Sequence, residues 1–239
     1  MLILVMAVVF LATFIRSAFG FGEALVAVPL LALIMPIEIA APVAVLVSIT
    51  VSLVAVAQDW RHVHFRSAGL LFVSTCLGIP IGLWLLSAVP ESAVKTVLAI
   101  VIIAFSAFFL LNKSQVALKS DKLAPVFGFV AGILGGAYGM NAPPLVAFGT
   151  LRRWPPQQFR ATLQGYFLPA SIVVMIGYWA TGLWVSSVTR YYLLTLPIVV
   201  IAIFTGRAVS KRFNSHTFVV YVHCGLIVVG AALLLQAYA

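Results

Sequence analysis

The chain has 239 residues, of which 64% are hydrophobic and only 8% are charged, and its mean hydropathy is +1.19. Apolar runs on this scale exceed what a soluble core of this length buries, so the composition predicts a single membrane domain over 1–239. Near-continuous runs at 94–111 and 218–235 favour helices over the alternating strands of a β-barrel. The net charge of +9 does not predict nucleic-acid binding, because the basic residues lie between apolar runs as topology signals.

The first predicted element is a broken apolar segment over 1–34. It is too long for one upright helix across roughly 30 Å of hydrocarbon at about 1.5 Å per residue. Gly20 and Gly22 interrupt it, so we predict a re-entrant hairpin of two half-helices, each too short for a comfortable span. A cleaved signal peptide is not predicted, because no Lys or Arg precedes the first apolar run.

After a turn at Pro36, three spanning helices are predicted, and the same order of elements then repeats. The first three spans are 39–57, 67–87 and 92–111. The second broken segment covers 123–151 around Gly139, and the later spans are 159–180, 187–210 and 216–237. Cys76 and Cys224 lie inside apolar segments without metal or redox spacing, so we predict that they only pack.

The two halves are predicted to be copies of one unit, repeat 1 over 1–111 and repeat 2 over 122–239. An offset of 119 residues pairs Gly20 with Gly139, Pro36 with Pro155 and Trp60 with Trp179, and after a short insertion Gly82 aligns with Gly206. Few identities survive, so the prediction depends mainly on the shared order of elements.

The distribution of basic residues tests whether the broken segments cross the membrane. If both turn back, 11 of the 13 Lys and Arg outside the first segment, Arg207 among them, lie on one side, opposite Lys95 and Arg190. If 123–151 crosses once, the division becomes 6 against 7. The positive-inside rule therefore favours two re-entrant hairpins. The predicted fold is an all-α polytopic membrane protein of two inverted repeats, each a hairpin plus three transmembrane helices, with both termini outside.

The glycine breaks are the predicted functional centre. Gly20, Gly22 and Gly139 let the backbone leave helical geometry inside the membrane, where the freed polar groups need partners. A half-helix that starts after a break points its partially positive N-terminus at the centre, so two opposed ends predict an anion site. The alternative is that these glycines only allow helices to pack closely.

Arg16 and Glu23 flank the first break. A guanidinium inside the membrane costs on the order of 2.5–3.5 kcal/mol on insertion scales, which calls for a reason. Arg16 either faces an anionic substrate, whose oxygens its planar donors match, or neutralises Glu23 or snorkels to an interface. Glu23 is either a proton carrier or the partner of Arg16.

Five further side chains are candidate substrate contacts. Asn141, at the second break, can donate and accept hydrogen bonds, and Ser17 and Tyr138 offer hydroxyls beside the breaks. Arg160 and Gln164 share a helix face after the second proline turn. Arg160 is either a substrate contact or a cytoplasmic anchor, whereas Gln164 lies deeper and needs a polar partner.

Asp59, His62 and His64 cluster in a short polar loop, which indicates either a metal or proton site or simple solvation. The sequence contains no HExxH motif, P-loop, Ser-His-Asp set or pair of catalytic carboxylates. Neither an enzyme nor a cofactor is therefore predicted.

Several short motifs carry a family resemblance. The run Phe19-Gly20-Phe21-Gly22 is followed by Val28-Pro29-Leu30-Leu31, and the second half contains a glycine-rich run at 128–136 and then Arg160-Ala161-Thr162. In these motifs the chain resembles, over nearly its whole length, the TauE/SafE family, also called the sulfite exporter or 4-toluene sulfonate uptake permease family. The resemblance implies a bacterial inner-membrane carrier of small anions such as sulfite, thiosulfate, sulfonates or sulfoacetate. Glu23 and 138–141 depart from the glycine-rich pattern of the family, which leaves the anion open.

We therefore predict a secondary transporter that exports a small anion, sulfite or another sulfur oxyanion or organosulfonate, by alternating access around the two breaks. An inside-negative membrane favours anion exit by about 2.3 kcal/mol per charge and 100 mV, whereas uptake needs a coupling ion, such as a proton on Glu23. The alternative is a cation or metal permease using Glu23 and Asp59, and a third class is a non-transporting membrane subunit or intramembrane enzyme. The predicted partners are the anion and the lipid bilayer, without nucleic acid, and a homodimer is a further hypothesis.

Overall fold

The computed structural model describes residues 1–59, 65–111, 118, 120–210 and 215–238. Over these residues the fold is helical, which confirms the all-α membrane prediction. The described helices are α1 (Leu2–Phe19), α2 (Glu23–Ala32), α3 (Ile37–Asp59), α4 (Phe65–Ala88), α5 (Glu91–Leu111), α6 (Ala124–Tyr138), α7 (Ala142–Leu151), α8 (Pro156–Ala180), α9 (Ser186–Ser210) and α10 (Ser215–Tyr238), with a 3₁₀ turn at Asp121–Leu123.

The six predicted spans correspond to α3, α4, α5, α8, α9 and α10, and each observed end lies within three residues of its predicted position. This agreement is expected, because lipid offers backbone groups no hydrogen bonds and each apolar run must satisfy its own. The runs stop where Pro, Gly or charged residues interrupt the apolar sequence.

The prediction that both halves of each broken segment are too short to span is wrong for α1. This helix has 18 residues and a mean hydropathy of 2.4, so its length and composition allow a crossing by themselves. Its partner α2 has only 10 residues, and α6 and α7 have 15 and 10. The reason is the position of the break, since nothing between Leu2 and Phe19 interrupts the helix before the glycines.

The second broken segment, 123–151, begins and ends at the same end of the helix bundle. The Leu118 amide donates to the Leu151 carbonyl at 2.8 Å, and Arg152 Nε lies 2.9 Å from Asp121 Oδ1. Ser67, near the start of α4, donates to the other Asp121 carboxylate oxygen at 2.9 Å. The start of α6 and the end of α7 are therefore neighbours, which supports a re-entrant hairpin; the inverted orientation of the two halves stays a prediction.

Glycines bring α4 and α6 into backbone contact. A Cβ added to Gly78 would lie 2.2 Å from the Phe129 carbonyl oxygen, and one added to Gly132 would lie 2.2 Å from the Thr75 carbonyl oxygen. Small residues at such positions let helix backbones approach closely, which drives association where lipid supplies no hydrophobic gain. This contact joins the first half of the chain to the second half.

The same helix pairings occur when the two halves are exchanged. Helix α4 packs on α6 as α9 packs on α1, while α3 pairs with α8 and α5 with α10. A Cβ on Gly82 would meet Ile133, Gly136 and Ala137, and a Cβ on Gly206 would meet Phe14, Ser17 and Ala18. These two sets of neighbours differ by 119 positions throughout, which supports the proposal of two copies.

Candidate functional site

Arg16 lies at the centre of the site, in the last turn of α1, and only 3% of it is exposed. Gly20 ends the helix with a φ of 91°, and its amide donates to the Arg16 carbonyl at 2.6 Å. Gly22, with a φ of 98°, precedes α2. Two left-handed glycines so close together reverse the chain, because other residues adopt this backbone conformation only with strain.

This reversal places Glu23, the first residue of α2, beside Arg16. Arg16 Nη1 donates to Glu23 Oε2 at 2.5 Å, and Glu23 is 2% exposed. A buried carboxylate and guanidinium at this distance neutralise one another. Of the two sequence interpretations of Arg16, this conformation shows the ion pair with Glu23.

Two other helices complete the surroundings of the guanidinium. From α3, Ser48 accepts a hydrogen bond from Nη1 at 2.6 Å, and Ser52 accepts one from Nη2. From α8, Gln164 Oε1 accepts from Nη2 at 2.8 Å, and the Phe167 ring lies 5.1 Å below the guanidinium carbon. Arg16 thereby joins α1, α2, α3 and α8.

Gln164 and Arg160 hold the first break from the other half of the chain. Gln164 Nε2 donates to the Gly20 carbonyl at 2.6 Å, which satisfies a backbone oxygen that the break releases. The Arg160 side chain crosses the face of Gly20, since a Cβ there would lie 2.9 Å from both its Cγ and its Nε. Arg160 also donates to the Ala18 carbonyl at 3.3 Å. Arg160 and Gln164 were predicted to share one face of their helix, and in the structure both contact the first break.

A small cavity of about 50 Å³ lies next to these groups, which is room for a few water molecules at roughly 15 Å³ each. Its polar lining consists of Arg16, Ser17, Gly20, Arg160, Gln164 and Arg207. The apolar lining is Val51, Val54, Ala55 and Ile203.

Several buried polar atoms at the site have no hydrogen-bond partner among the residues that the structure describes. They are Arg16 Nε, Ser17 Oγ and Glu23 Oε1. Buried polar groups are nearly always satisfied by protein, water or ligand. Arg16 and Ser17 both line the cavity, so a water or an anion within it can complete their hydrogen bonding.

The second break lies apart from this cavity. Tyr138 is buried and donates to the Val94 carbonyl at 3.0 Å, at the start of α5. Gly139 has a φ of 64° and packs against Val45 of α3, while Asn141 lies beside Gly135. Both breaks therefore contact α3 at adjacent turns, but Tyr138, Gly139 and Asn141 are not among the residues that line the cavity.

The predicted polar cluster of Asp59, His62 and His64 lies outside the residues whose side chains the structure describes. The cation-permease alternative also requires Glu23 as a ligand. Because Glu23 is already paired with Arg16, its charge is offset, and the observed geometry does not favour that alternative.

Sequence reasoning missed several members of the site. Ser48 and Ser52 stand four residues apart in an apolar helix, which puts them on one face, and that spacing was the signal available. Arg207 was counted only as a topology signal near the end of the predicted span 187–210. It lies in the last turn of α9, directly after Gly206, where α9 contacts α1.

Fold and site together define a class: a multi-pass helical membrane protein with a cationic cavity between its helices. The sequence profile of the family "Sulfite exporter TauE/SafE" matches residues 5–233, so the chain belongs to that family, whose members are membrane transporters rather than enzymes. The family prediction is thereby confirmed.

One curated relative is the "Probable sulfite/organosulfonate exporter TauE" of Cupriavidus necator (strain ATCC 17699). It is 25% identical to this chain over 236 residues, which cover 94% of this chain and 90% of the relative. No solved structure matches the chain.

Proposed function

We propose that this transporter exports a small sulfur oxyanion or organosulfonate across the bacterial inner membrane, through the cavity beside the first break. The observation that carries the proposal is the cavity lining, to which three arginines, Arg16, Arg160 and Arg207, contribute. The curated relative, named as a sulfite/organosulfonate exporter, supports the choice of substrate class.

The charges and donors of the cavity suit such an anion. Glu23 offsets the charge of Arg16, and Arg160 and Arg207 add two further basic side chains to the lining. Guanidinium groups present planar pairs of donors that match the oxygens of a carboxylate, phosphate or similar oxyanion. Ser17 Oγ and Arg16 Nε add donors that have no partner within the described part of the chain.

Export needs no coupling ion. Each negative charge that leaves an inside-negative cell gains about 2.3 kcal/mol per 100 mV. Uptake would require a coupled cation, for which a proton on Glu23 is the candidate. In the observed conformation Glu23 serves instead as the counter-ion of Arg16, which agrees with uncoupled export.

Alternating access is the proposed mechanism. The matched helix pairings and the matched glycine neighbours support two copies that can exchange conformations. Inverted copies of one unit can provide an inward-open and an outward-open state. The two copies have different conformations in one state, and they exchange these conformations to reach the other state.

The proposal is tested with everted membrane vesicles that contain the protein. Initial uptake of radiolabelled sulfite and of a radiolabelled organosulfonate is measured against vesicles without it. We expect saturable uptake of at least one anion, and Arg160→Gln to raise the half-saturating concentration roughly tenfold, because a charge-assisted contact is lost. Arg190→Gln, outside the cavity lining, is the matched control and should leave it unchanged. No uptake across a panel of sulfur oxyanions and sulfonates would overturn the proposal.

A further inference from the structure

The two breaks are packed in the same way by the long helix of the opposite half. At the first, Gly20 lies under Arg160, and Gln164 one turn later bonds its carbonyl. At the second, a Cβ on Gly139 would lie 2.6 Å from Val45 Cγ2 and 3.3 Å from the Ala41 carbonyl oxygen. Ala41 and Val45 precede Arg160 and Gln164 by 119 residues, as Gly20 precedes Gly139. The two environments are therefore counterparts in three dimensions.

Most polar residues of the first break have apolar counterparts at the second, and the exception is Ser52, which corresponds to Ser171. At the offset of 119, Arg16 corresponds to Gly135, Glu23 to Ala142, Ser48 to Phe167, Arg160 to Ala41 and Gln164 to Val45. Helices α4 and α9 are aligned by the match of Gly82 with Gly206, beyond the short insertion. In that alignment the counterpart of Arg207 is Leu83. None of the three arginines that line the cavity has a basic residue at the corresponding position of the other copy.

The cavity lies towards one end of the bundle. Its lining comes from the end of α1, the later turns of α3, the early turns of α8 and the last two turns of α9. The chain segments next to these helix ends contain Arg61, Arg152, Arg153, Lys211 and Arg212. By the positive-inside rule this end is cytoplasmic. The apolar counterparts lie towards the other end, with Ala41 and Val45 early in α3 and Leu83 late in α4.

We propose that this chain captures its anion electrostatically from the cytoplasmic side only. The inference rests on the proposed export function. Arg160 and Arg207 line the cavity that an anion from the cytoplasm enters, whereas the corresponding positions towards the outer side are the buried apolar residues Ala41, Val45 and Leu83. A positively lined cleft raises the local concentration and the association rate of an anion, and an apolar one does not. The cytoplasmic side of the carrier therefore saturates at a lower anion concentration than the outer side.

The sidedness is measured with radiolabelled sulfite in everted and right-side-out vesicles, with the membrane potential held at zero by valinomycin and equal potassium. We expect a half-saturating concentration roughly tenfold lower in everted vesicles, the effect of one or two charge-assisted contacts. At zero potential the ratio of maximal rate to half-saturating concentration must be equal in the two directions. The maximal rates should therefore differ by the same factor, which is an internal check.

Substitution of Arg207 tests how much the charge of the cavity contributes to the difference between the two half-saturating concentrations. Arg207→Leu installs the counterpart residue and should raise the half-saturating concentration in everted vesicles while leaving right-side-out vesicles unchanged. Arg207→Lys should retain most of the difference. Lys122→Leu removes an exposed basic residue from outside the cavity lining and should change neither value.

The outcomes distinguish this inference from the function on which it rests. Saturable transport with equal half-saturating concentrations on the two sides overturns one-sided capture and leaves the transporter in place. Absence of transport in both orientations, with the protein shown to be folded by its thermal transition, overturns both. The comparison of the two sides uses the unsubstituted protein, so it does not depend on the folding of any variant.

Discussion

Arg16 is the side chain whose surroundings decide the interpretation of the site. Its burial at 3% exposure, next to Glu23 at 2.5 Å, explains how a cation persists between apolar helices. Breaking a buried pair by removing one partner costs about 3–5 kcal/mol, because the remaining charge has no counter-ion. Removing both partners avoids that penalty.

This pairing predicts a non-additive pattern of stability. Arg16→Met and Glu23→Leu should each lower the unfolding free energy by about 3 kcal/mol or more, and the double variant should lose less than either single one. Thermal unfolding of the detergent-solubilised protein measures the three changes. Additive effects in the double variant would show that the two residues do not form the pair.

Among the helices, the contact of α4 with α6 has the closest backbone approach at its glycines. A side chain at Gly78 or Gly132 meets backbone atoms of the partner helix, which cannot move aside as the end of a flexible side chain can. The same helix α4 contains Gly69, where an added Cβ meets nothing within 4 Å. Gly78 and Gly69 therefore form a matched pair on one helix, one position with a close backbone contact and one without.

We expect Gly78→Ala to destabilise the protein strongly, by about 3 kcal/mol or more, because overpacking forces the two helices apart. Gly69→Ala should be neutral or slightly stabilising, since alanine is the better helix former. The midpoint of thermal unfolding for each variant is the measurement. Equal midpoints would mean that α4 and α6 do not depend on backbone contact.

In the whole molecule, the position of the basic residues and the return of the second broken segment agree. The amide of Leu118 bonds the carbonyl of Leu151, so the segment between them begins and ends at one face of the bundle. Lys122 and Arg153 flank that segment, while Arg190 lies near the start of α9. In an arrangement of two inverted repeats, Lys122 and Arg153 lie on the same side of the membrane and Arg190 lies on the opposite side.

Cysteine labelling tests this topology in a background with Cys76 and Cys224 replaced by alanine. Lys122→Cys and Arg153→Cys should react with a membrane-impermeant maleimide only in everted vesicles. Arg190→Cys should react only in right-side-out vesicles or intact spheroplasts. Labelling of positions 122 and 153 from different sides would show that the segment crosses, and the antiparallel arrangement would fail with it.

Much of the fold was predictable because its determinants are local. The ends of α3 and α5 follow from where apolar runs stop, and the breaks follow from Gly20, Gly22 and Gly139, which adopt positive φ. The site was predictable only in part. Arg207 resembles any basic residue at the end of a membrane helix until the packing of its neighbour Gly206 against α1 is known.

Local pattern was sufficient for the helical membrane class, the helix boundaries and the position of each break, because lipid makes every apolar run satisfy its own backbone. Tertiary structure alone decided what Arg16 faces. Its bond to Gln164 joins residues 148 positions apart, and no periodicity in the chain encodes such a contact. Packing of one half against the other also determined that Arg16, Arg160 and Arg207 come together around one cavity beside the first break.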